Sequence, residues 1–153
     1  MLTGWIITAI ILLPNLLFLV YPPNTIPPEP DEKSLSKKKK FEIIEKAGQV
    51  GCFVLPFFYS FQTKSTLDRI SLTITIVALS LYYIGWIRYL LKGRLFYLLF
   101  SPMLHIPLPL AVTPIMAFLA AAMNFHSWLL GLAAVVLAAG HLVVSQIERE
   151  RCL

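Results

Sequence analysis

Charged residues divide this chain into long uncharged runs: residues 1–28, 47–63, 70–87 and 95–147 contain no Asp, Glu, Lys or Arg. A bilayer core about 30 Å thick takes roughly 20 helical residues to cross, with about 17 as a practical minimum. The first three runs each suffice for one crossing and the last for two. The pattern therefore predicts an all-α integral membrane bundle of five transmembrane helices in a single membrane domain. The spans read as Leu2–Tyr21, Ala47–Gln62, Ile70–Leu91, Ile106–Met123 and Trp128–Ile147. The first ends in Tyr21-Pro22-Pro23, followed by Pro27-Pro28, because each proline removes an amide donor and crowds the preceding turn. Asn124-Phe125-His126-Ser127 splits the last run into two spans. The second span is the shortest and borrows a first turn from Phe41–Lys46. The third is rich in β-branched residues but too long and unbroken for a barrel strand.

Composition agrees with this pattern. Of the 153 residues 58% are hydrophobic and 14% charged, whereas a soluble domain carries about 25% charged residues. The net charge of +5 accompanies no basic stripe interleaved with aromatics outside the apolar segments, so no nucleic-acid partner is expected. The basic residues instead mark topology. Lys33, Lys37, Lys38, Lys39, Lys40, Lys46, Arg88, Lys92, Arg94, Arg149 and Arg151 flank one side of a five-span arrangement, and only Lys64 and Arg69 flank the other. The positive-inside rule places the N-terminus outside and the C-terminus in the cytoplasm. Met1–Thr8 has no Lys or Arg, and no small-residue cleavage site follows the first apolar run, so that run is expected to be retained as an anchor and not removed as a signal peptide.

Residues 22–46 are then a cytoplasmic loop. Its Pro-rich first half reads as an extended linker. Its second half, Ser36–Lys46, sets Phe41 and Ile44 beside Lys37, Lys38, Lys39 and Lys40, which suits a short interfacial helix on anionic headgroups. A solvated basic run that only holds the loop inside is the plainer reading.

Polar residues inside spans point to function, since an unsatisfied one is costly in hydrocarbon. Asn15, Gln49, Arg88, His105 and His141 all fall in the cytoplasmic half of the predicted topology and define a candidate ligand pocket open to that side. Each has a structural reading as well. Arg88, in Trp86-Ile87-Arg88-Tyr89, can snorkel to phosphate, Asn15 and Gln49 can be hydrogen-bond glue between helices, and His141 can be a packing histidine. Pro14, Pro56 and Pro114 lie inside the spans and release the carbonyls of Ile10, Cys52 and Leu110. Pro102, Pro107 and Pro109 argue against a continuous helix before the fourth span, so Leu95–Leu104 is expected along, or dipping into, the interface. Small residues at Ala117 and Ala121, Ala134 and Ala138, and Gly48 and Cys52 predict close helix approach, with the fourth and fifth spans as an antiparallel hairpin.

Several chemistries lack their residues. With no carboxylate inside any span, the usual ion-coupling group and the acid/base pair of an intramembrane protease are missing. Three histidines without H-E-x-x-H spacing and two distant cysteines form no metal motif. No cofactor and no catalytic residue is assigned. Leu12-Leu13-Pro14-Asn15-Leu16-Leu17-Phe18, Ile44-Glu45-Lys46-Ala47-Gly48-Gln49-Val50-Gly51-Cys52 and Trp86-Ile87-Arg88-Tyr89 with Pro107-Leu108-Pro109-Leu110-Ala111-Val112 together resemble an uncharacterised family of small bacterial multi-pass inner-membrane proteins. The resemblance implies an inner-membrane setting and no established activity. The expected function is a cytoplasm-facing pocket for a lipid headgroup or small anionic ligand. A second reading makes the chain a non-catalytic subunit or regulator packed on a membrane partner, and a third a lipid-acting enzyme with a histidine pair as acid and base.

Overall fold

A computed structural model describes residues 3–152. The architecture is all-helical: α1 (Trp5–Val20), α2 (Glu32–Val54), α3 (Thr66–Leu91), α4 (Pro109–Asn124) and α5 (Trp128–Glu150), with short 3-10 turns at Leu55–Phe58 and Phe96–Leu99. Among the described residues no strand longer than an isolated bridge occurs. α3 and α5 are long and apolar enough to cross a membrane, while α1 and α4 are shorter apolar helices of 16 residues.

Local chemistry sets most boundaries. α1 stops where Pro22-Pro23 begins, with the Tyr21 amide closing on the Leu17 carbonyl. Asp31 caps α2, accepting from the Ser34 amide. Ser65 and Asp68 form a reciprocal capping box at the start of α3, which satisfies two otherwise orphaned amides. Gly93, at φ +82°, ends α3 in a left-handed turn that costs glycine nothing. Pro109 opens α4 where no amide donor is needed, and Ser127 caps α5 through the Leu130 amide.

Two expectations need correction. Ala47–Gln62 is not one helical span: Pro56 terminates the helix at Val54, a 3-10 turn follows, and Tyr59–Gln62 is non-helical. Residues 22–46 are not all loop either, because α2 begins at Glu32. The helix survives there because it has a partner. Its charged half lies antiparallel on the last turns of α5, with Lys38 Nζ 2.6 Å from Glu148 Oε1 and Glu45 Oε1 2.7 Å from His141 Nδ1. The interfacial helix expected over Ser36–Lys46 is thus the first part of a longer packed helix. The start of the first predicted span, Leu2, lies outside the described residues.

Successive helices alternate in direction. The α2–α5 interface is the most extensive, and it closes through glycines. A Cβ on Gly48 would collide with the Leu137 backbone, and one on Gly140 with the Glu45 backbone. α4 and α5 form the antiparallel hairpin, and α3 lies along α4 with Gly85 against Leu110. The core includes Cys52, Tyr89, Ala117, Phe118, Ala121, Leu130 and Ala134.

Polar knots close both ends. At one, fully buried Asn124 accepts from the Gln62 amide at 2.9 Å and donates to the carbonyls of Gln62 and Asp68. Asp68 also pairs with His126 Nε2 at 3.0 Å. At the other, buried Glu148 sits between Lys38 and Arg151, whose guanidinium also binds the carbonyls of Pro27 and Pro28. The Pro-rich linker is thereby fastened to the end of α5, and Asn24 fastens it to Gly93 and Arg94 as well.

Gly48→Leu or Gly140→Leu should force α2 off α5 and abolish cooperative thermal unfolding in detergent. Gly131→Ala, whose new methyl meets nothing nearer than Ala122 Cβ at 3.8 Å, should leave stability unchanged or raise it by about 0.5–1 kcal/mol.

Candidate functional site

All five helices enclose one cavity of about 460 Å³. Its walls are mostly apolar. Six aromatic side chains contribute, Phe18 from α1, Phe53 from α2, Tyr82 and Trp86 from α3, Phe100 from the segment after α3, and Phe118 from α4. Trp86 stands edge-to-face with Phe18 and with Tyr82, at interplanar angles of 74° and 85°. The cavity lies in the range of about 300–1,000 Å³ that suits small-molecule sites with apolar walls and few polar groups.

α1 forms the loosest wall. Pro14 frees the Ile10 carbonyl, and Tyr83 donates its hydroxyl to that oxygen at 2.7 Å. Tyr89 donates to the Tyr21 carbonyl at 3.0 Å, so the second half of α1 leans on α3. Its ties to α2 lie at the other end, where Thr8 donates to the Phe53 carbonyl and the Gly4 amide to the Tyr59 carbonyl. Between these ties Asn15, which lines the cavity, is exposed, so the cavity is open there.

A polar cluster sits at this opening. Glu45 Oε1 accepts from Gln49 Nε2 at 3.2 Å and lies 2.7 Å from His141 Nδ1. Gln49 and His141 both line the cavity, as does Ser145 one turn further along α5. Glu45 stands behind them, 14% exposed. The Gly140–Glu45 contact holds the helices close enough for this pairing. The Trp86 indole, only 7% exposed, packs with its N–H toward the Tyr82 hydroxyl.

Of the five residues singled out in the sequence, Asn15, Gln49 and His141 converge on this cavity. Arg88 and His105 do not. Arg88 turns away to the Pro102 carbonyl at 3.0 Å and to the Ser101 hydroxyl, pinning the segment after α3. His105 is exposed at φ +66° in the tight turn between Met103 and Ile106, so no histidine pair forms. That segment contains no α-helix, as its prolines predicted, and buries Leu98 and Leu99. Glu45 was passed over because it falls in what read as a loop. Its signal was the i, i+4 spacing to Gln49, which places both side chains on one helix face.

No family model, no curated protein and no solved structure matches the chain.

The geometry suits binding better than covalent chemistry. Glu45, His141 and Ser145 are residue types found in acyl-transfer sites, but α5 is regular helix through Ser145, so its amides are committed to the helix and none forms an oxyanion hole. Among the described residues no group of three or more His, Cys, Asp or Glu side chains is placed to hold a metal ion. Cys52 is buried, and burial, followed by the Glu148 carboxylate, raises the Cys152 thiol above its ordinary range, which lowers its thiolate fraction and its reactivity.

Proposed function

We propose that the chain is a five-span membrane protein, N-terminus outside and C-terminus cytoplasmic, whose central cavity takes up an amphipathic molecule from the cytoplasmic leaflet. The observation that carries this reading is the cavity itself: a mostly apolar chamber walled by all five helices, with Gln49 and His141, both bonded to Glu45, among its few polar lining residues. An amphiphile has the matching form, an apolar body and one hydrogen-bonding head.

The alternating helix directions support five crossings. So does the distribution of basic residues, since Lys64 and Arg69 lie at the Asn124 end and ten of the other eleven toward the Glu148 end, Lys46 standing level with the middle of α5. α1 and α4 span about 24 Å of helix each, short of the typical hydrocarbon core by an amount that local bilayer thinning can absorb. In the second crossing, non-helical backbone at depth is tolerable because protein satisfies it. Gly4 donates to the Tyr59 carbonyl, Thr3 accepts from the Phe61 amide and Asn124 binds both backbone groups of Gln62. Beyond the bilayer, exposed Lys37, Lys39 and Lys40 are available to anionic headgroups at about 1 kcal/mol each, while Lys38 is engaged by Glu148. The resemblance to small bacterial multi-pass proteins favours an inner-membrane setting. Because Arg88 lies off the cavity, its charge does not serve the bound molecule, and the anionic ligand expected from sequence gives way to an amphiphile held by hydrogen bonds and apolar contact.

Orientation is read by cysteine labelling in a Cys152→Ser background. A membrane-impermeant maleimide should modify Lys64→Cys on intact cells, and Lys33→Cys only after permeabilisation. For the cavity, Ala111→Phe should fill space on α4, abolish the mass of a bound amphiphile seen by native mass spectrometry of wild type, and leave the unfolding temperature unchanged or higher. A retained adduct in that variant would refute the cavity as the binding site.

A further inference from the structure

The cavity's electrostatics are one-sided. Its lining contains no Lys, Arg, Asp or Glu, and the nearest carboxylate, Glu45, stands one hydrogen bond behind Gln49 and His141. The cations of this end are turned elsewhere. Arg88 binds Ser101 and Pro102, Arg94 binds Asn24, Lys38 and Arg151 hold Glu148, and Lys46, beside Glu45 on α2, is exposed. The charged side chain closest to the lining is thus a carboxylate, paired with Gln49 and His141.

The aromatic walls point the same way. Phe18, Tyr82 and Trp86 all line the cavity, and Phe18 and Tyr82 each meet Trp86 edge-to-face, so the three rings lie in different planes. Aromatic faces carry negative quadrupole potential, and rings set around a cavity are the usual means of holding a quaternary ammonium or similar large, weakly hydrated cation. Asn15, Gln49 and Ser145 add side-chain oxygens as acceptors.

Resting on the amphiphile-binding reading above, we infer that this cavity selects lipophilic organic cations, amines or quaternary ammonium compounds with an apolar body, over neutral and anionic molecules of the same shape. Phe18, Tyr82 and Trp86 form the cation-facing walls. Glu45 is a positioning residue: it orients Gln49 and His141 and biases the field of the opening.

Three lipophilic probes of related shape and different charge test this: tetraphenylphosphonium, triphenylphosphine oxide and tetraphenylborate, titrated calorimetrically into the full chain in nonionic micelles. Tetraphenylphosphonium should bind saturably, one per chain, at least about tenfold more tightly than either other probe, a difference of about 1.4 kcal/mol. Ala111→Phe should abolish that binding. Phe18→Leu, remote from the α2–α5 contact, should weaken the cation by about three- to tenfold and the neutral probe by clearly less. Glu45→Gln should narrow the preference between cation and anion. Unfolding temperatures identify any variant that has lost its fold, and Phe18→Leu keeps the test decisive if Glu45→Gln does so. Equal or tighter binding of the borate, or equal loss of all three probes in Phe18→Leu, overturns the cation assignment. Binding that Ala111→Phe abolishes but that ignores charge overturns it while leaving the amphiphile reading intact. Absence of any such binding, together with no bound amphiphile in the native protein, overturns both.

Discussion

The close approach of α2 to α5 is the contact on which the rest of the molecule depends. Lipid chains are as apolar as the helices they surround, so helices in a bilayer associate through packing and hydrogen bonding, and small residues decide how near two backbones come. Gly48 admits the Leu137 backbone and Gly140 admits the Glu45 backbone. A methyl group at either position would separate the helices, and with them Glu45 from His141 and Lys38 from Glu148. The same contact turns the charged half of α2 from a loose basic loop into a helix with a partner. Glu148 can then be buried, because Lys38 and Arg151 both compensate it.

From that pair the bundle grows outward. α5 turns back into α4, α4 supports α3, and α3 holds α1 through tyrosine hydroxyls that bond carbonyls of the first helix, one of them freed by Pro14. α1 buries Ile7 and Ile11 and approaches Pro56 closely at Gly4, but touches its neighbours less than α2 and α5 touch each other. The difference matters for function. In the proposed function α1 is the wall past which a molecule enters, while the close α2–α5 pair keeps Glu45, Gln49 and His141 in register. Opposite the opening, Asn124 and Asp68 tie the loops together with fully used hydrogen-bonding groups, which leaves the cavity as the place where polar groups retain unused capacity.

Much of the helical order was legible in the distribution of charge, because an uncharged run of sufficient length has few alternatives to an apolar helix. The helix ends at Val20, Leu91 and Asn124 lie within one residue of the expected bounds Tyr21, Leu91 and Met123, the first set by Pro22 and the last by the polar cluster around His126. The second apolar segment was not legible as it stands, since Pro56 ends its helix and tertiary hydrogen bonds to Thr3 and Asn124 sustain the non-helical remainder. Among candidate site residues, depth along the helix axis correctly grouped Asn15, Gln49 and His141 but is blind to rotation about that axis. Arg88 shares their depth and faces Ser101 instead. His105 depends on a left-handed turn that no periodicity encodes. Glu45 was missed because its environment comes from Gly140, distant in sequence.

The central claim is that a chamber inside this bundle is continuous with the hydrocarbon of a membrane, and the fluorescence of Trp86 reports on it directly. With Trp5 and Trp128 replaced by phenylalanine, Trp86 remains as the single indole, 7% exposed and on the cavity wall. In bilayers of dibrominated phosphatidylcholine, chains entering through the side opening should quench Trp86 strongly despite its burial, and Ala111→Phe should restore the emission. Full Trp86 emission in brominated bilayers, equal to that in unbrominated ones, would contradict the account.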